Sequence, residues 1–244
     1  MRDEMRLNKY LSRYAGVSRR EADRLIEAGE VSVDGSEASL GMMIDELTAD
    51  VKVSGRPVTP DHTRHYYAVY KPVGYIASTA RQDADDRLVT ELAPSDGGIR
   101  LFPVGRLDKD SEGLMILTDD GELMDKVLRS RFGHEKEYLV KLGSEITEDI
   151  IGTIRAGGVD IGEGRPTKPC TIDRIRGNTL KMVLTEGMNR QIRKVFGRFG
   201  YEVESLKRVR FMNITLEGLS SGECRELTAS EVEEMKEMTG NDGK

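Results

Sequence analysis

Cysteine is scarce in this chain. Cys170 and Cys224 are the two among 244 residues, with no Cys-x-x-Cys pair and no Cys/His cluster beside them. Neither a zinc site nor a disulfide framework is suggested, and both thiols are expected to be structural. Long apolar runs are missing too. None approaches the roughly 20 residues needed to span a bilayer, and Met1-Arg2-Asp3-Glu4 carries no apolar signal-peptide core. A cytoplasmic protein with no membrane partner is expected. Positive charge is not in excess either: the formal net charge of -6, read globally, argues against nucleic acid, because phosphate binding rests on Lys and Arg. There is no nucleotide-binding fingerprint and no internal repeat.

What is present fits a soluble globular protein, with 37% hydrophobic and 33% charged residues. The length allows a small domain plus a medium one. Charge is unevenly placed. Arg190, Arg193, Lys194 and Arg198 crowd one stretch and Lys207, Arg208 and Arg210 another, while Glu231, Glu233, Glu234 and Glu237 make the end acidic. A local basic surface on an acidic chain is compatible with RNA and predicts salt-sensitive binding.

Met5 to about Asp50 reads as a small helical unit ending in a hairpin. Leu7, Tyr10, Leu11 and Tyr14 recur at helical spacing, and Ser18 with Glu21 three residues on is a capping-box signature for a second helix, Arg19 to Ala28. Val31-Ser32-Val33 then runs into Asp34-Gly35, a hairpin turn signal. Gly55, Pro57, Pro60 and Asp61 mark a composition shift typical of a linker. The division expected is a first domain over 1–56, a linker over 57–64, a larger domain over 65–235 and a flexible tail over 236–244. In the larger domain His65 to Tyr70 reads as a strand stopped by Pro72 and Gly74. Helices are expected near Glu122 to Arg129, Thr147 to Ala156 and Asn189 to Arg198, with strands at Tyr138 to Leu142, Val203 to Leu206 and Arg210 to Leu216. Gly177-Asn178 signals a hairpin between Thr171 to Ile175 and Thr179 to Leu184. The fold class expected is α+β, with a mixed, largely antiparallel sheet.

The stretch the rest is arranged around is Val104-Gly105-Arg106-Leu107-Asp108-Lys109-Asp110-Ser111-Glu112-Gly113-Leu114. It describes a carboxylate, Asp108, held on a loop between two strands, with Arg106 two residues away to orient it or meet an anion. On spacing alone a solvated turn is the commoner reading. Gly105 to Leu114, however, resembles the catalytic motif of the RNA pseudouridine synthases of the RsuA/RluB/RluE/RluF branch. Tyr67-Ala68-Val69-Tyr70-Lys71-Pro72-Val73-Gly74, His134-Glu135-Lys136-Glu137-Tyr138-Leu139-Val140 and Glu186-Gly187-Met188-Asn189-Arg190-Gln191-Ile192-Arg193-Lys194 resemble three further motifs of that family, in the right order. The first helices resemble the alpha-L, ribosomal protein S4-like, RNA-binding domain.

The resemblance implies isomerisation of a uridine in large-subunit rRNA, with a uridine of a tRNA anticodon stem-loop as a second substrate. Nothing is added or removed, so no cofactor and no metal are implied, and the partner is RNA acting on a monomer. The implied catalytic residues are Asp108, Tyr138 packing on the base, and Arg193 as the guanidinium that keeps Asp108 ionised. Arg106, Leu206, Lys71, Asn189 and Arg190 are implied substrate contacts. Whether the acid attacks the sugar or ring, or removes a sugar proton to give a glycal, stays open. In the first domain Arg6, Lys9, Arg13, Arg19, Arg20 and Arg24 are the implied RNA contacts, weak because Glu21, Asp23, Glu27 and Glu30 lie among them. Two other classes compete with this reading: a silent RNA-binding or ribosome-assembly factor on the same fold, and a metal-dependent nuclease using Asp119-Asp120 or Asp85-Asp86.

Overall fold

The structure, a computed structural model, describes residues 4–61, 63–94, 99–128 and 133–240. It divides into two compact units, the described residues of Met1–Arg64 with Ser95–Arg100, and those of His65–Pro94 with Leu101–Lys244.

The first unit opens with strand β1 (Glu4–Arg6) and helices α1 (Leu7–Tyr14) and α2 (Arg19–Glu27). Leu7, Tyr10 and Leu11 are buried in α1, and Ala22 and Ile26 in α2, as the 3.6-residue spacing requires. The Ser18 hydroxyl accepts from the Glu21 amide at 3.0 Å and caps α2. Strands β2 (Val31–Val33), β3 (Ser36–Glu37), β4 (Met43–Asp45), β5 (Val51–Val53) and β6 (Arg56–Pro57) follow. The expected hairpin forms over Asp34 and Gly35, both at positive φ (52° and 80°). There is more sheet here than the apolar pattern showed: β3-β2-β5-β6 make one sheet and β1-β4 another. The expected linker also begins too early. Ser54-Gly55 is a hairpin turn, Pro57 belongs to β6, and Val58 donates to the Val51 carbonyl (2.8 Å) while accepting from the Tyr10 hydroxyl (3.2 Å). Arg100 belongs to this unit as well, donating to the Val17 carbonyl at 3.3 Å.

The second unit contains β7 (Tyr66–Lys71), β8 (Tyr75–Ile76), β9 (Arg87–Leu88), a 3-10 turn (Val89–Leu92), β10 (Phe102–Pro103), β11 (Glu112–Thr118), α3 (Gly121–Leu128), β12 (Lys136–Leu142), α4 (Glu148–Ala156), β13 (Thr171–Arg176), β14 (Thr179–Leu184), α5 (Gln191–Arg198), β15 (Val203–Phe211), β16 (Ile214–Thr215), β17 (Cys224–Glu226) and α6 (Ala229–Gly240). Seven strands run β13-β14-β12-β15-β11-β7-β17, with β10 and β16 added beside β11 and β15. Every pairing in this sheet is antiparallel except β11 with β15. Leu114 and Ile116 of β11, Leu123 and Val127 of α3, and Val232 and Met235 of α6 share one core.

Three boundaries depart from expectation. β15 is one continuous strand, because Lys207 and Arg208 interrupt its apolar pattern without interrupting its pairing to β12. β7 is buried on both faces as a central strand, so its alternation is only partial. The end of the chain is not a tail from residue 236, since α6 continues to Gly240 with Thr239 5% exposed. Arg129 of the expected helix and residues 241–244 of the expected tail lie outside the described residues.

Candidate active site

The loop between β10 and β11 carries Asp108. Val104, Leu107 and Ser111 are buried, Arg106, Lys109 and Asp110 are exposed, and Gly105 turns the chain at φ 82°. The Ser111 amide donates to the Asp108 carbonyl (3.1 Å), and the Gly74 amide to that of Lys109 (2.8 Å). Gly113 is required where the loop enters β11. It sits at φ 116°, and a Cβ there would stand 2.2 Å from the Arg208 carbonyl oxygen. Only glycine lets β11 come beside β15 at this point.

Two side chains hold the loop from beneath. Lys71 is fully buried at the end of β7, and its Nζ donates to the carbonyls of Ser111 (2.6 Å) and Pro72 (2.9 Å). Burial pulls its ammonium down to about 8, against the attraction of Asp110 and Asp108. Asp86, 4% exposed, accepts from the Lys109 ammonium (2.8 Å) and the amides of Gln82 and Asp83. The Lys109 bond, first among these, holds its carboxyl at about 2.

Asp108 faces a cleft of about 490 Å³, within the usual range for small-ligand sites. Tyr138 and Lys136 reach the cleft from alternate positions of β12, and Leu206, Arg208 and Phe211 from β15. Asn189 and Arg190 line it from the turn before α5, and Arg106 is exposed on its rim. The Tyr138 side chain is 8% exposed, yet its hydroxyl has no hydrogen-bond partner among the described residues. A core tyrosine would have one.

The guanidinium nearest the acid corrects the expectation. Arg190, not Arg193, forms the ion pair with Asp108, Nη1 to Oδ2 at 3.6 Å. Arg190 also donates to both carboxylate oxygens of Asp110 (3.2 and 2.8 Å), which holds that carboxyl below its ordinary range. Arg193 instead donates to the carbonyls of Asp110 (2.9 Å) and Val203 (2.8 Å) and pairs with the Asp110 carboxylate, Nε to Oδ2 at 3.4 Å. The cause is local: Arg190 adopts left-handed backbone (φ 49°, ψ 33°) before α5, which turns its side chain toward the loop. Lys71 is the second correction. It is neither cleft wall nor solvated strand end, but a buried tether.

Sequence reasoning gave Lys136, Arg208, Phe211, Glu186 and Asp86 no part in this site. The available signal was period two: Lys136 must share the face of Tyr138. The aspartates that a metal-dependent nuclease would need are committed elsewhere. Asp119 accepts from the His65 amide (2.9 Å) and Asp120 caps α3 through the amides of Glu122 and Leu123. In the first unit Arg13 pairs with Glu46 (3.0 Å) and Arg24 with Glu21 (2.8 Å), while Arg6, Arg19 and Arg20 are exposed and Lys9 is half-buried.

Comparison with known proteins adds to this geometry. A family model described as RNA pseudouridylate synthase matches residues 65–197, and one described as S4 domain matches residues 5–46. The chain is 41% identical, over 97% of its length and 80% of the other's, to the dual-specificity RNA pseudouridine synthase RluF of Escherichia coli (strain K12). It is 43% identical, over 93% of its length and 77% of the other's, to the protein of that name from Salmonella typhi. A solved structure described as a pseudouridylate synthase superposes with a TM-score of 0.69 at 27% identity, covering 95% of this chain and 99% of that one.

Proposed function

The chain belongs to the RNA pseudouridylate synthase family, and on that premise we propose that it isomerises a uridine of large-subunit rRNA, with Asp108 as the catalytic carboxylate. A uridine in a tRNA anticodon stem-loop is the second substrate in this reading. The dual specificity in the name of the RluF relatives supports two RNA targets. The observation that carries the reaction is Asp108 at the mouth of a nucleotide-sized cleft, with the Arg190 guanidinium and the unpartnered Tyr138 hydroxyl facing the same space.

The chemistry follows from these positions. A stacked base cannot reach a carboxylate on a loop, so the nucleotide is flipped out of its helix at a cost of a few kcal/mol. Its base lies between Tyr138 and Leu206, and Arg106 and Asn189 at the rim hold the flanking phosphates. Arg190 Nη1 stands 3.6 Å from Asp108 Oδ2, and both attack on the sugar or ring and removal of a sugar proton require the acid as its carboxylate. Arg193, through the Asp110 and Val203 carbonyls, fixes the loop on which the acid rides. No atoms are gained or lost, so no cofactor is needed, and the reaction is that of a cytoplasmic monomer on RNA.

Mapping pseudouridines in rRNA and tRNA from cells with and without the gene tests the reading. Loss of one large-subunit rRNA site and one tRNA site on deletion is expected. An unchanged map in both would overturn it and leave a non-catalytic RNA-binding role.

A further inference from the structure

Two cations lining the cleft, Lys136 and Arg208, have no carboxylate in ion-pair contact among the described residues. Arg208 is 2% exposed. Its Nε donates to the Leu114 carbonyl (2.8 Å) and its Nη2 to the Met115 sulfur (3.0 Å), and Nη1 has no acceptor among the described residues. Lys136 donates to the His134 carbonyl at 3.0 Å. Both cations sit against one ring, Lys136 Nζ 5.5 Å and Arg208 Cζ 5.3 Å from the centroid of Phe211.

The lining carries Arg106, Lys136, Arg190 and Arg208 against the carboxylates of Asp108 and Glu186. Asp108 is paired with Arg190. Glu186 is engaged by the Arg165 guanidinium (2.6 Å), the Lys168 amide (2.9 Å) and the Gln191 side chain (2.7 Å). Two desolvated cations without a carboxylate of their own are unfavourable alone and call for an anion or strong acceptor from outside. Depth selects which part of an RNA that is. Backbone phosphates stay at the mouth, and the edge of the flipped base goes furthest in. Arg208 is the cross-strand partner of Tyr138, so a base lying on the tyrosine ring has Arg208 at its side and Lys136 two residues along the same face.

We propose that Lys136 and Arg208 bind the carbonyl edge of the flipped uracil and stabilise the negative charge it acquires on leaving the sugar, an assignment that rests on the synthase reading above. When the bond from N1 to C1′ breaks, both its electrons go to the ring and spread onto O2 and O4. After the ring turns, an electron pair at C5 forms the new bond to C1′. The C5 proton leaves and N1 gains one, so the composition is unchanged. The charge develops whether Asp108 attacks or removes a C2′ proton that is later returned. Fixed cations aimed at it act as an oxyanion hole does.

The test uses the full chain and total RNA from cells lacking the gene, which contains the unmodified target whatever molecule it lies in. Lys136→Gln should slow single-turnover pseudouridine formation roughly 10²-fold or more while RNA affinity holds. Burial and Arg208 bring the Lys136 ammonium down to about 8, Glu186 opposes them, and His134 on the same segment is itself pushed down. Wild-type turnover should therefore fall as pH rises through about 8, and Lys136→Arg, which stays charged, should fall less steeply, the remainder belonging to Lys71, whose ammonium also lies at about 8. Arg208→Lys, checked by its melting temperature, should also slow conversion with affinity kept. Lys136→Gln weakening binding as much as rate, or a fall above pH 8 as steep in Lys136→Arg as in wild type, would overturn the assignment. Wild type making no pseudouridine in that pool would instead sink the synthase reading itself.

Discussion

Lys71 shows how one residue type can mislead. A lysine before Pro72 at a strand end looks solvent-facing in sequence, yet its ammonium is buried on two carbonyls under the Asp108 loop. Lys71→Met would leave both carbonyls without that donor and let the loop drift. Small misplacements of a reacting group cost about 10²-fold in rate, so a loss of that order in single-turnover rate, with RNA binding retained, is expected. An unchanged rate would make Lys71 a packing residue only. The acid and the tyrosine were named because the motifs around them resemble those of a known family; spacing alone favoured a solvated turn for the first and a core position for the second. The choice between Arg190 and Arg193 was not legible. Both lie near the start of one helix, and a single left-handed residue decides which of them reaches Asp108.

Among the elements, the pairing of β11 with β15 matters most to the site, since it brings Arg208 beside the Asp108 loop. Gly113→Ala combines positive φ with a backbone overlap and should destabilise the fold by about 3 kcal/mol or more, measured by denaturant titration; a stability near that of wild type would show that the two strands can part without loss. The first turn of α6 offers a pH-dependent test. Glu231 is bound by Arg225 (2.6 and 2.9 Å) and by Thr228, and its carboxyl lies at about 2 in the folded chain. A depressed carboxyl stabilises the fold above its unfolded value of about 4.3 and loses that contribution as pH falls through the folded one. Glu231→Gln should accordingly lower the unfolding free energy at pH 7, by about 1 kcal/mol or less for a partly exposed pair, and converge with wild type in acid. A constant difference at all pH values would contradict the sign. Helices with clear caps and the Gly177-Asn178 hairpin could be read in sequence. The short strands of the first unit could not, because two or three residues carry no period, and β15 hid because its cleft-facing position 208 is an arginine.

Over the whole molecule, the net charge of -6 points away from RNA while the distribution points toward it. Removing one phosphate-binding cation lowers the salt slope of RNA binding by about one. Replacing Arg6, Arg19 and Arg20, three exposed arginines of the first unit's candidate set, with Gln should flatten the dependence of RNA affinity on salt and leave the chemical step alone. A slope equal to wild type would move the RNA-binding surface elsewhere. The helical spacing of the first residues and the Gly55-to-Asp61 composition shift made the two-part plan legible; the return of Arg100 to the first unit was not, since no local pattern marks a chain that comes back. The most direct measurement is pseudouridine formation by purified wild type and Asp108→Asn on the same RNA, with binding followed in parallel. Wild type should form pseudouridine and the variant none while still binding; turnover retained by Asp108→Asn would contradict the account.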